Sequence, residues 1–147
     1  MKRLASLLTD TKASGIYLTT TTFSAEDLQK SCTKHDLFLF HLKKKSIRTK
    51  VQFLDYCAKI FDFPYYFGRN WDALEDCLKD MDWIKSKGFV ILYEQFGDFA
   101  ENAPKEFDQV LDIFNDVSEY WRENDKTCIV LLHGQVPTGM DYTTIEN

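Results

Sequence analysis

The chain has 147 residues, 44% of them hydrophobic and 15% aromatic. That is the length of one domain with the material for a packed core, so no metal or disulfide staple is needed. A formal net charge of −5 is opposite to the basic balance of nucleic-acid-binding domains. The longest apolar runs, such as Phe89-Val90-Ile91-Leu92-Tyr93, are strand-sized and too short to span a bilayer. The expectation is a cytoplasmic protein without membrane contact.

In chain order, Lys2 and Arg3 precede a short apolar run, Leu4 to Leu8, that stops at Thr9-Asp10. It falls short of a signal-peptide core and reads as an amphipathic helix. Gly15 to Thr20 reads as a short strand. Ser24 is a capping residue with Glu26 and Asp27 in the first turn, which predicts a helix to about Thr33. Leu37 to Leu42 is a nearly continuous apolar strand, the pattern of a sheet covered on both faces. A basic run, Lys43 to Lys50, leads into a helix in which Val51, Leu54, Tyr56, Cys57, Ala58 and Phe61 recur at helical spacing, and Pro64 ends it.

Further along, Phe89 to Tyr93 predicts a strand and Pro104 to Trp121 a long helix. That helix carries Phe107, Val110, Leu111, Phe114, Val117 and Trp121 on one side. Ile129 to Leu132 is the last predicted strand, and the tail from Gly134 reads as loop. Buried-type strands alternating with helices imply parallel pairing, hence an α/β layer fold. Its sheet core is expected at 36–42, 88–94 and 127–133, with an N-terminal strand as an optional addition. No linker divides the chain, so one domain is expected.

Cys32, Cys57, Cys77 and Cys128 form no CxxC pair. Cys57 and Cys77 lie among core-type neighbours and are expected as buried free thiols. Cys32-Thr33-Lys34-His35 offers one ligand step without a second pair, so no metal and no cofactor is expected. Charge is unevenly divided. Residues 1–61 hold 11 Lys/Arg against 5 Asp/Glu, whereas residues 62–125 hold 6 against 16. An acidic segment of this kind repels nucleic acid and favours a basic protein partner.

The acidic excess begins at Pro64–Leu78, PYYFGRNWDALEDCL. Asn70 is an N-cap candidate. At about 100° per residue, Leu74, Cys77, Leu78 and Met81 share the core stripe while Asp72 and Asp76 project opposite. Three readings compete here. A catalytic acid pair needs a cleft and one raised pKa, and His35, His41 and His133 lie in other elements. The second reading is a capped, solvated helix face. The third is a docking face on which fixed carboxylates meet arginines and lysines of a partner. Residue physics leaves the second and third open.

The run Pro64-x-Tyr66-Phe67-Gly68-x-Asn70-x-Asp72-Ala73-Leu74-x-Asp76-Cys77-Leu78 resembles the signature segment of the barstar family, intracellular inhibitors of guanyl-preferring ribonucleases. The order of elements around it is similar too. The resemblance spans residues 36–133, with 1–35 as an N-terminal extension and 134–147 as a tail of one barstar-like domain. It implies an α/β fold with a small parallel sheet packed by helices, no catalytic activity, and a 1:1 complex with a basic ribonuclease or nuclease toxin. By matching position, Tyr66 would stack on the nuclease pocket. Asp76 would be the principal phosphate mimic, with Asp72 one turn earlier and Asn70 and Trp71 at the rim. Val110-Leu111-x-x-Phe114-x-Asp116 resembles the family's second acidic contact, which assigns it to Asp116, one methylene shorter than the family's glutamate. Glu75 stands where the family pattern has tryptophan, and Lys79 adds a positive charge near the acidic face.

Other functions make different predictions. A binding module on the same scaffold would use Asp72 and Asp76 without inhibiting a ribonuclease. Nucleic-acid binding rests on Lys43-Lys44-Lys45, Arg48 and Lys50, a run that otherwise reads as a solvated loop. No Ser-His-Asp order, phosphate loop or zinc signature supports an enzyme.

Overall fold

A computed structural model describes the chain except for residues 1, 21–22, 44–45, 65–66, 82–83, 135–138 and 146–147. The elements are α1 (Lys2–Leu8), β1 (Gly15–Thr19), α2 (Ala25–Lys34), β2 (Phe38–Leu42), α3 (Lys50–Ile60), α4 (Trp71–Lys79), β3 (Gly88–Glu94), α5 (Gly97–Asn102), α6 (Pro104–Glu123), β4 (Thr127–His133) and β5 (Thr143–Ile145). A 3-10 turn, Thr11–Ala13, precedes β1.

The apolar runs 88–94 and 127–133 are buried at six of seven positions each. They can only be central strands with both faces covered. The sheet is five-stranded and parallel throughout, in the order β2-β3-β4-β1-β5. Alternation splits its side chains between two cores. Phe89, Ile91, Cys128 and Val130 face α3, α4 and α6, whereas Val90, Leu92, Ile129 and Leu131 face Leu4 and Leu8 of α1 and Leu28 and Cys32 of α2. The N-terminal residues therefore add β1 beside β4 and supply the second helical layer. At Gly88 the strands approach so closely that a Cβ would lie 2.0 Å from the Thr127 carbonyl oxygen.

The three central strand expectations, the N-terminal strand and the long helix are matched. The tail departs from its loop reading, because Thr143–Ile145 pairs with Tyr17–Thr19 as an edge strand. Only Ile145 of this strand is buried, so three residues give too little pattern to announce themselves. Cys32, Cys57 and Cys128 are buried free thiols, whereas Cys77 is half-exposed.

Three helices end in one device. Asp36, Asp62 and Asp125 adopt left-handed φ of 57°, 53° and 58°. The next N–H reaches back in each case: Leu37 to Cys32 O (2.8 Å), Phe63 to Ala58 O (3.0 Å) and Lys126 to Trp121 O (2.9 Å). These are Schellman ends with aspartate in the place usually taken by glycine. α3 thus stops at Ile60, four residues before Pro64, by its own capping.

Candidate functional site

α4, which carries Asp72 and Asp76, packs with α3 and α6 in one helical layer against the sheet. Its approach is held by aromatic packing: Phe61 stacks on Phe63 at 5.4 Å, and Phe63 meets the buried Phe67 at 4.9 Å. The Phe67 N–H donates to the Pro64 carbonyl at 2.9 Å. Tyr66 lies outside the described residues. Arg69, at φ 49°, donates from Nε to Asp55 of α3 at 2.8 Å, which ties the approach to the preceding helix.

Asn70 starts α4 as the sequence predicts. Its Oδ1 accepts from the Ala73 N–H at 2.8 Å, satisfying one of the free amide groups of the first turn. Leu74 and Leu78 are buried beneath the helix. The stripe Trp71, Glu75, Lys79 faces α6, and each end of it is anchored there. Trp71 donates from Nε1 to Gln109 Oε1 at 2.7 Å, while Trp121 Nε1 donates to the Leu78 carbonyl at 3.0 Å. Lys79 lies over the Tyr120 ring at 5.5 Å. The two helices therefore run in the same sense. On α6, Gln109, Asp116 and Tyr120 share one line, being seven and four residues apart. Asp116 is thus set along the α4 side of the α6 surface, between the two anchors, and is exposed.

The three carboxylates of α4 have different environments. Glu75 pairs with Lys79 at 3.1 Å, with side chains 28% and 31% exposed, so its charge is largely balanced within the helix. Asp72 and Asp76 are exposed, and neither has an ion-pair partner among the described residues. Asp72 lies in the first turn, where the helix dipole favours it. Trp71 is held on three sides, with the Lys50 ammonium 5.1 Å above its ring and Phe53 at 6.2 Å. The helix bearing the acids is therefore fixed to both of its neighbours.

The sequence does not reveal a polar row on the opposite side of the sheet. Thr19, His133, Glu94 and His41 come from β1, β4, β3 and β2 at the carboxyl ends of the strands, all on the α1–α2 side by alternation. Thr19 Oγ1 and His133 Nδ1 lie 2.6 Å apart, and His41 Nε2 lies 2.8 Å from Glu94 Oε2. Phe23 meets the His133 ring edge-on at 4.7 Å. Each of the two pairs thus links neighbouring strands, β1 to β4 and β2 to β3. Among the described residues, no group of three or more His, Cys, Asp or Glu is placed to hold a metal ion. None of their helices is long and apolar enough to cross a membrane.

The family model described as Barstar (barnase inhibitor) matches residues 37–133. No curated protein matches the chain.

Proposed function

Because this chain belongs to the barstar family, whose members are inhibitors and not enzymes, we propose that it binds a basic ribonuclease or nuclease toxin and inhibits it by covering the active site. The complex has one copy of each protein, and the inhibitor acts inside the cell as a protective or immunity-type protein. In this reading α4 and its approach form the plug. Asp76 and Asp72 take positions where RNA phosphates sit, Asp116 makes the second acidic contact, and Tyr66, Asn70, Trp71 and Glu75 complete the surface.

One observation carries the reading. Asp72 and Asp76 stand exposed and without ion-pair partners among the described residues, on a helix capped at its start and anchored at both ends to α6. A solvated face needs no such anchoring. A docking face benefits from it, because carboxylates already fixed in place lose little freedom on binding. Glu75, by contrast, is already paired with Lys79, so its contribution is to hold Lys79 more than to meet a partner cation.

The test is inhibition of a panel of small basic microbial ribonucleases, barnase included, by stoichiometric amounts of the protein. Loss of RNA cleavage at an equimolar ratio for at least one of them supports the reading. Binding that leaves cleavage intact would assign the chain to a docking module of another kind.

A further inference from the structure

At the carboxyl ends of α4 and α6 the acidic surface gives way to a slot of the opposite sign. Met81 and Ile84 are buried at its base, Tyr120 and Trp121 form its aromatic wall, and Lys79 and Lys126 stand at its rim. The slot encloses about 210 Å³. That is less than the roughly 300 Å³ at which small-molecule pockets begin, so it fits one side chain better than a metabolite. Both ammonium groups are held over rings, Lys79 at 5.5 Å from the Tyr120 centroid and Lys126 at 5.9 Å from that of Trp121. Tyr120 is 41% exposed, one of the few large apolar residues left at the surface.

The positions of the two cations follow from the chain. Lys126 is the residue after the left-handed Asp125, and its N–H returns to the Trp121 carbonyl. That closure turns Lys126 back over the indole of the same helical end. Lys79 is the last residue of α4, four after Glu75, and its pairing with Glu75 holds it beside Tyr120. Trp121 Nε1 is committed to the Leu78 carbonyl, so the wall presents ring and not donor. Among the described residues Lys126 has no carboxylate partner.

We infer that this slot receives a glutamate or aspartate side chain of the partner protein, and that it is a specificity determinant at the end of the acidic face. The carboxylate meets Lys126 first and Lys79 second, while the methylene stem lies against Tyr120 and Trp121. Charge complementarity supports this occupant, since an arginine or lysine that suits Asp72 and Asp76 is repelled here. The inference rests on the docking reading of α4. It adds that a basic partner must place one acidic residue opposite the slot, which separates the cognate target from other basic nucleases.

The test uses the full chain, labelled with nitrogen-15, titrated with N-acetyl-glutamate N-methylamide and, separately, with the uncharged glutamine analogue. The expected result is a saturable shift of the Trp121 indole N–H and the Lys79 and Lys126 amides. Binding of the glutamate probe should be at least fivefold tighter than that of the glutamine probe, and Lys126→Gln should abolish the difference. Lys126 is exposed, so this variant keeps the fold, which the unchanged remainder of the spectrum verifies. Equal binding of both probes, or no shift with either, overturns the proposal. Binding of benzoate in the slot without binding of the glutamate probe also overturns it, in favour of a small-molecule site. Failure of the docking reading is seen elsewhere, as indifference of ribonuclease inhibition to Asp72 and Asp76, so the two outcomes are distinguishable.

Discussion

Replacing Trp71 with phenylalanine measures how firmly α4 is fixed before it meets a partner. The substitution removes the hydrogen bond from Nε1 to Gln109 Oε1. Such a bond contributes about 0.5–1.5 kcal/mol net, and the exposure of Gln109 places it in the lower half of that range. The ring under Lys50 becomes a poorer cation acceptor, forfeiting part of an exposed interaction of about 0.5–1 kcal/mol. Contact with Phe53 is reduced as well. The expected destabilisation is about 1–2 kcal/mol, a fall in Tm of roughly 2–8 °C for a chain of this length. Urea unfolding of Trp71→Phe, Gln109→Ala and the double variant gives the coupling directly. A coupling of about 0.5 kcal/mol or more is expected. Strict additivity, within about 0.3 kcal/mol, would refute the claim that this bond fastens α4 to α6.

Gly88→Ala is expected to destabilise by more than about 3 kcal/mol, because the added methyl meets backbone atoms of Thr127 that cannot move aside; a smaller loss by urea unfolding would show that β3 and β4 can separate there. Tyr93 is buried, and its hydroxyl has no hydrogen-bond partner among the described residues. Tyr93→Phe should therefore leave stability unchanged or raise it by up to about 1 kcal/mol, and a loss of that size would reveal a bond to the hydroxyl. Burial raises the Cys32 thiol from 9.0 to about 12. Since the folded value lies above the unfolded one, its contribution is complete below pH 9 and is lost as pH rises toward 12. The urea midpoint should fall over that window, and fall less in Cys32→Ala; identical slopes would contradict the assignment.

Legibility in the sequence followed the range of the forces involved. β3 and β4 declare themselves because strands covered on both faces need unbroken apolar runs, and α6 because eight buried positions repeat over about four turns. α5 begins with Gly97 and has no side-chain cap, so no local signal marks its start. The Schellman ends are hidden because aspartate, not glycine, takes the left-handed position. At the candidate site, the cap at Asn70 and the outward face of Asp72 and Asp76 are matters of local periodicity and were readable. The Trp71–Gln109 and Lys79–Tyr120 contacts depend on how α4 and α6 align, across about 40 residues of chain, and no pattern within either helix encodes that alignment. The same holds for the slot, whose two lysines come from the ends of different helices.

The most direct measurement of the central claim is the affinity of Asp76→Ala, beside wild type, for the ribonuclease that the panel shows to be inhibited. It is read by calorimetry at low and at physiological salt. Truncating one partner of a desolvated interfacial charge pair costs about 2–5 kcal/mol, a magnitude carried over from interfaces that include the barnase–barstar pair itself. The account therefore predicts affinity at least 30-fold weaker for Asp76→Ala, with a flatter dependence on salt and an unchanged unfolding curve. Unaltered affinity and salt dependence in Asp76→Ala would contradict it.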